Sequence, residues 1–177
     1  MNVVLKKLTF ENMFSYDQET TIDFTENQIC QIVGSNGVGK TSAAIILQEL
    51  LYNKNAKGLK KSEILNRYSK SKSWEGSVEF SVGPKEYVVT SKRTGASTTV
   101  HLFEDGVDIS EHKVLDTYKR IQDIIGRDFD TFKQLTYQSS VDSLEFLKAT
   151  DTNRKKSSIS LSCSSHIVSD TTYSDTK

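Results

Sequence analysis

Eight consecutive residues carry the clearest chemical signal in this 177-residue chain. Residues 34–41 read Gly-Ser-Asn-Gly-Val-Gly-Lys-Thr, the G-x-x-x-x-G-K-[ST] form of a phosphate-binding loop. Glycines allow a backbone tight enough for successive N–H groups to point at phosphate oxygens. Lys40 would reach the terminal phosphates as a point charge, and the Thr41 hydroxyl would ligate Mg²⁺. The alternative is a glycine-rich turn before a core helix, but the full pattern favours nucleotide binding. The predicted contacts are Gly34, Ser35, Asn36, Gly37, Val38, Gly39, Lys40, Thr41 and Ser42.

The loop needs a strand before it and a helix after it. The apolar run over residues 29–33 predicts the strand, and a helix is predicted from about Thr41 to Tyr52. The helix would present its positive N-terminal end to a bound anion. Two more strands are predicted earlier, over residues 3–10 and 20–24.

The rest of the folded region is predicted to be an antiparallel meander followed by helices. Apolar and polar residues alternate from about residue 78 to 107, with turn residues between the runs. Ser110 is predicted to cap a helix over residues 111–125, which Gly126 would end. A short helix is predicted around residues 62–68, inside a polar and lysine-rich stretch.

Composition sets limits on the class of protein. The formal net charge is zero, with 23 basic and 23 acidic residues, so no global charge signal for nucleic acid is present. Residues 54–72 form a local exception with seven cations and one acid. We interpret this stretch as a solvated loop and helix face, with a nucleic-acid patch as the alternative. Two cysteines, scattered histidines and no long apolar stretch predict a reduced, cytoplasmic environment without a membrane span.

The composition changes abruptly after Lys156. Residues 157–177 contain eight serines and three threonines and no periodic apolar pattern. Such a stretch cannot bury enough apolar surface to offset the entropy of ordering, so a disordered C-terminal tail is predicted. It is either a natural serine-rich tail or the result of a frame change or premature end, and we favour the second. Residues 1–156 would form the folded domain.

Several motifs in order resemble the SMC-like DNA-repair ATPases, which include SbcC-type exonuclease subunits and recombination nuclease large subunits of tailed phages. Residues 8–15 look like the opening motif of that family, and the phosphate loop has its characteristic Asn36. Residues 132–138 resemble its Phe-x(5)-Gln segment, and residues 146–156 are similar to the family's next segment, where an Arg-rich helix begins. Phe14 departs from the Arg of many members, which puts a base- or phosphate-directed role there in doubt.

The resemblance implies an α/β fold, the N-terminal lobe of an ABC/SMC-type P-loop NTPase. It has a mixed sheet, an antiparallel meander and flanking helices. It also implies ATP and Mg²⁺ as cofactors. Lys40 and Gln138 would be the catalytic residues, and Thr41 and Gln138 would hold Mg²⁺. Without the family, Gln138 reads as a solvent-exposed polar residue in a loop.

Two family motifs are missing from the chain. These are the Walker B strand ending in Asp-Glu and the Ser-Gly-Gly signature loop; residues 102–105 are the nearest decoy but lead into a glycine turn. We therefore expect one lobe of a composite site, which needs a C-terminal ATPase half in trans and does not turn over ATP efficiently alone. Expected partners are a nuclease subunit, double-stranded DNA and a second head in a head-to-head dimer, in bacterial or phage-infected cytoplasm.

Two other functions are weighed against this one. The first is an inactive truncated or frame-shifted remnant. The second is a small-molecule P-loop kinase. The kinase is disfavoured because two strands precede the loop and an antiparallel meander comes after it.

Overall fold

The computed structural model describes residues 2–26, 32–33, 35 and 39–136. In chain order its elements are β1 (Val3–Glu11), β2 (Thr20–Asp23), α1 (Lys40–Tyr52), α2 (Lys61–Ile64), β3 (Ser73–Val82), β4 (Lys85–Thr94), β5 (Ser97–Glu104), β6 (Val107–Asp108), α3 (Val114–Ile125) and α4 (Phe129–Thr136). The first compact unit ends at Phe129, and the second begins at Asp130, inside α4. The predicted boundary after residue 156 and the predicted tail lie outside the described residues.

The strands form one six-stranded sheet in the order β2-β1-β3-β4-β5-β6. Each described pair is antiparallel, and β3 to β6 follow one another as the predicted meander. A register shift between Leu5 and Lys7 marks a bulge in β1. It explains why the apolar alternation of the first strand breaks in the sequence while the strand itself continues.

One face of the sheet carries the core. Cross-strand pairing lines up Leu8, Val78, Val89 and Leu102, and all four are at most 1% exposed. Partners that are directly opposite share a face, so this row is a continuous apolar stripe across β1, β3, β4 and β5. Burying each such side chain stabilises the fold by about 1.5–3 kcal/mol.

Helices α1 and α3 cover that same face. A Cβ on Gly76 would lie 2.9 Å from Cδ1 of Leu50 in α1, so glycine permits the close approach of this helix. Its cross-strand partner Ser91 shares a hydrogen bond of 3.1 Å with the Tyr118 hydroxyl of α3. This arrangement agrees with the predicted α/β class of an antiparallel meander with flanking helices.

The start of α3 corrects a sequence prediction. Ser110 does not cap the helix, which begins at Val114 after Lys113. The Ser110 hydroxyl instead donates to Asp108 and accepts the Leu102 N–H, which closes the end of the meander. The predicted end of the helix is confirmed, because Gly126 has a φ of 69° and donates its N–H to the Gln122 carbonyl at 2.8 Å.

Two other predicted elements differ from the structure. The short helix of the lysine-rich stretch is α2, which covers four residues rather than the predicted 62–68. Of the strand predicted over 29–33, only Ile32 and Val33 are described; they are not in a strand and are 45% and 80% exposed. No described strand pairs with them, because the sheet ends at β2 and β6. Residues 29–31 lie outside the described residues.

Within the described ranges, none of the helices has the length and apolar content needed to cross a membrane.

Candidate nucleotide-binding site

The N-terminal end of α1 is built to face an anion. The helix begins at Lys40, directly after Gly39, whose φ of 103° and ψ of 13° suit glycine. Ser42 donates its N–H to the Gly39 carbonyl at 2.9 Å, which closes the first turn. No acidic residue lies in that turn, so nothing there neutralises the partial positive charge of the helix end. Thr41 is exposed beside it.

The lysine of the loop folds back over the residues that precede the helix. Its Nζ lies 2.6 Å from the carbonyl oxygen of Ser35. An ammonium group and a carbonyl at this distance form a charge-assisted hydrogen bond. The structure therefore brings together two predicted contact residues, Ser35 and Lys40, across the loop.

A second loop, formed by residues 12–16, supports the end of the phosphate loop. The Tyr16 hydroxyl donates to the Gly39 carbonyl at 3.3 Å, and the Tyr16 ring packs edge-on against Phe10 at 4.9 Å. A Cβ on Gly39 would lie 2.5 Å from Oγ of Ser15 and 3.2 Å from Cε2 of Tyr16. Gly39 is thus required by its backbone conformation and by the space beside it.

The 12–16 loop is itself held firmly. Asn12 and Phe14 have φ values of 59° and 53°, a region that most side chains avoid. The Asn12 side-chain amide donates to the Ser73 carbonyl at 2.5 Å, and the Phe14 N–H donates to the Ile64 carbonyl at 2.6 Å. Asn12 is 5% exposed. The asparagine of the opening motif therefore fixes the loop from inside the protein.

Sequence reasoning did not assign a role to Tyr16. Its position next to the Gly39 carbonyl depends on the path of the 12–16 loop, and no local pattern indicates it. The one sequence signal was its place directly after the opening motif, residues 8–15.

The decoy acidic pair lies in a hairpin. Glu104 ends β5 and pairs with Lys85 at 2.5 Å, and this hydrogen bond holds the pKa of the Glu104 carboxyl below its usual range. Asp105 and Gly106 have φ values of 49° and 81°, and the Asp105 side chain accepts the Glu86 N–H at 2.9 Å. These carboxylates close the turn between β5 and β6, as the sequence predicted.

Several predicted site residues lie outside the described residues: Gly34, Asn36, Gly37, Val38 and Gln138. The metal-linked role of Gln138 stays a prediction. In the ranges that are described, no group of three or more His, Cys, Asp or Glu side chains is arranged to hold a metal ion.

Comparison with known families agrees with this geometry. The sequence model of the AAA domain matches residues 7–164, which is most of the chain and includes the phosphate loop. The chain belongs to the AAA domain family. The glycine–lysine loop and its helix are therefore part of a domain and not a chance turn.

Two relatives refine the assignment. The probable exonuclease subunit 2 of Escherichia phage T5 is 40% identical over 153 residues, which cover 86% of this chain and 25% of that protein. The SbcC component of the nuclease SbcCD from Deinococcus radiodurans is 27% identical over 136 residues, covering 71% and 14%. The resemblance to the N-terminal region of SMC-like, SbcC-type ATPases is confirmed. The chain spans a quarter or less of these relatives' length.

A solved structure of the recombination mediator protein RecF with ATP, in the RecFOR pathway, is also similar. It superimposes with a TM-score of 0.49 at 14% identity, over 67% of this chain and 30% of that one. The family assignment rests on the sequence matches and not on this superposition.

Proposed function

We propose that residues 34–42 bind the phosphates of ATP with Mg²⁺, and that this chain supplies the N-terminal ATP-binding part of an SMC-like ATPase subunit. The observation that carries the proposal is the position of Lys40. It opens α1 behind a positive-φ glycine and turns its ammonium group to within 2.6 Å of the Ser35 carbonyl. A phosphate oxygen is a stronger acceptor than that carbonyl and would replace it as the partner.

The residues around Lys40 suit a nucleotide phosphate. The N-terminal N–H groups of α1 lack a competing carboxylate in their first turn, so they are available to phosphate oxygens. The exposed Thr41 hydroxyl would hold Mg²⁺ together with those oxygens, and the family resemblance adds Gln138. ATP would supply the charge that this end of the helix attracts, and its hydrolysis would supply the free energy.

The site is proposed to be one part of a composite. In SMC-like ATPases the Walker B carboxylates and the signature loop complete the site, and in this chain residues 102–105 are committed to a hairpin instead. A C-terminal ATPase half would therefore act in trans. ATP binding would bring two such heads together and gate double-stranded DNA for a nuclease partner, in the cytoplasm of a bacterium or an infected host.

The topology disfavours a small-molecule kinase. Strands β1 and β2 precede the loop, and the antiparallel hairpins of β3 to β6 come after α1. Kinases of that kind continue with βαβ units, which require parallel strands.

A titration with a fluorescent ATP analogue and Mg²⁺ tests the nucleotide site. Lys40→Ala should weaken binding about 10- to 100-fold, because a hydrogen bond to a charged group contributes roughly 1.5–3 kcal/mol. Lys119→Ala is the matched control, since Lys119 is an exposed lysine on α3. Absence of binding by the unmodified chain, or equal loss in both variants, would contradict the proposal.

Turnover measurements test the composite site. The isolated chain should release phosphate from ATP no faster than Lys40→Ala does. Hydrolysis by the unmodified chain that disappears in Lys40→Ala would mean that the chain holds a complete site, and would overturn the composite-site proposal.

A further inference from the structure

An exposed tyrosine stands out on the segment of residues 66–73, between α2 and β3. Tyr68 is 95% exposed, the highest value among the exposed large apolar side chains of the described residues. An aromatic ring in water forgoes the free energy of burial, about 1.5–3 kcal/mol for a side chain of this size. A single exposed ring needs no explanation by itself, so the neighbouring residues decide its meaning.

The segment alternates between two sides. Ser69, Ser71 and Ser73 line one small cavity and are linked by hydrogen bonds: Ser71 N–H to Ser69 Oγ at 3.1 Å, and Ser71 Oγ to Ser73 Oγ at 3.0 Å. The residues between and before them, Tyr68, Lys70 and Lys72, are all exposed or half-exposed. Positions two apart in an extended chain are about 6–7 Å from each other. The ring and the two ammonium groups therefore form a row.

Both ends of the segment are anchored. Asn66 is 3% exposed; its side-chain oxygen accepts the Tyr68 N–H at 2.8 Å, and its own N–H donates to the Asn12 carbonyl at 3.1 Å. At the other end the Lys72 carbonyl accepts the Gly95 N–H at 3.1 Å. The exposed row thus sits on a backbone fixed to two other parts of the fold, which lowers the entropic cost of binding a partner.

The charge of this region is opposite to that of the rest of the chain. Residues 54–72 carry seven cations and one acid, which leaves sixteen cations and twenty-two acids elsewhere. Arg67, Lys70 and Lys72 reach solvent, and in the part of the chain that the structure describes they form no ion pair. In contrast, Lys61 is engaged with the buried Glu49. The available positive charge is therefore concentrated around Tyr68.

We propose that Tyr68, flanked by Arg67, Lys70 and Lys72, is a contact site for single-stranded DNA. The tyrosine ring would stack on an unpaired base and the cations would contact successive phosphates, a combination that binds single strands without reading sequence. An intact duplex hides the faces of its bases, so the ring would have no partner there. The interpretation of residues 54–72 as a solvated face then holds only for the part before Arg67.

This inference extends the proposed function, from which it takes only that DNA is the partner; the residues involved are separate from the nucleotide site. The loss of one would therefore not imply the loss of the other. Lys40→Ala should leave DNA binding without nucleotide unchanged, and Tyr68→Ala should leave ATP-analogue binding unchanged.

Fluorescence anisotropy of the full chain with a labelled oligo(dT) about 20 nucleotides long, at low salt and without nucleotide, tests the site. Tyr68→Ala should weaken binding about 5- to 100-fold, the effect expected for one base–aromatic stack. Tyr68→Phe should stay within about twofold, because the ring remains. Leu115→Ala removes another exposed apolar side chain, 73% exposed on α3, and should have no effect.

An abasic oligonucleotide of the same length separates stacking from charge. It keeps the phosphates but has no bases, so Tyr68→Ala and the unmodified chain should bind it equally. The double variant Lys70→Ser and Lys72→Ser should weaken binding to both oligonucleotides and reduce the salt dependence. No binding of oligo(dT) by the unmodified chain, or the same Tyr68→Ala loss on the abasic strand, would overturn the proposal.

Discussion

Gly39 is the residue where the phosphate loop, α1 and the 12–16 loop meet, and Gly39→Ala tests that arrangement. Two costs arise. A side chain at a φ of 103° is strained by about 1–3 kcal/mol. The new Cβ would also lie 2.5 Å from Oγ of Ser15, and relieving an overlap of this kind in a packed region costs about 1–3 kcal/mol.

A smaller effect acts in the other direction. Replacing glycine by alanine restricts the unfolded chain and stabilises the fold by about 0.4–1 kcal/mol. The net expectation is a loss of roughly 2–4 kcal/mol in the free energy of unfolding. For a chain of this size each kcal/mol lowers Tm by about 2–4 °C, so the decrease should be clear in thermal or urea unfolding. Affinity for the ATP analogue should fall at least about tenfold, because the first turn of α1 must shift.

Matched variants isolate the contact from the backbone strain. Gly58 has a φ of 63° and nothing within 4 Å of the position that a Cβ would take, so Gly58→Ala carries only the strain. Ser15→Gly removes the atom that the new Cβ would meet, and in a double-mutant cycle it should recover about 1 kcal/mol of the Gly39→Ala loss. Equal destabilisation by Gly39→Ala and Gly58→Ala, with no coupling to Ser15, would refute the reasoning.

Two further predictions concern the core that supports the site. Lys61→Ala should destabilise the fold by about 2–4 kcal/mol in urea unfolding, because Glu49 is 1% exposed and would keep a buried charge without its main partner; Lys85→Ala, which breaks an exposed pair, should cost at most about 1 kcal/mol, and equal effects would contradict this. Burial raises the pKa of Tyr118 to about 12, so the folded state favours the neutral phenol. This contribution to stability should therefore be complete below about pH 10 and be lost as the pH rises from about 10 to 12, and Tyr118→Phe should flatten that fall; an unchanged pH profile would count against it.

Local patterns were sufficient for most of the strands and helices and for the loop motif. The alternation over residues 78–107 reflects the two-residue period of strands, and the stop of α3 reflects the freedom of Gly126 to adopt a φ of 69°. Both signals depend on a few neighbouring residues. For the same reason the G-x-x-x-x-G-K-[ST] pattern could be read directly, because its function comes from consecutive backbone groups.

The cap at Ser110 marks the limit of local reasoning. A serine before an apolar periodic run is a good cap signal, yet the hydroxyl of Ser110 has partners in Asp108 and Leu102. Leu102 lies in β5, and only the folded hairpin brings its N–H to this serine. A competing partner from another element cannot be read from the helix sequence.

The sequence by itself determined that this chain has a phosphate-binding loop in an α/β domain of the SMC-like ATPase type, because that chemistry is carried by adjacent residues. Only the tertiary structure decided that Tyr16 and Ser15 enclose Gly39, that Lys40 turns back to Ser35, and that Tyr68 faces solvent among cations without ion-pair partners in the described residues. Most of these are contacts and exposures that depend on segments far apart in the chain. Their free energies arise from packing and solvent exclusion, which exist only once the fold has brought those segments together.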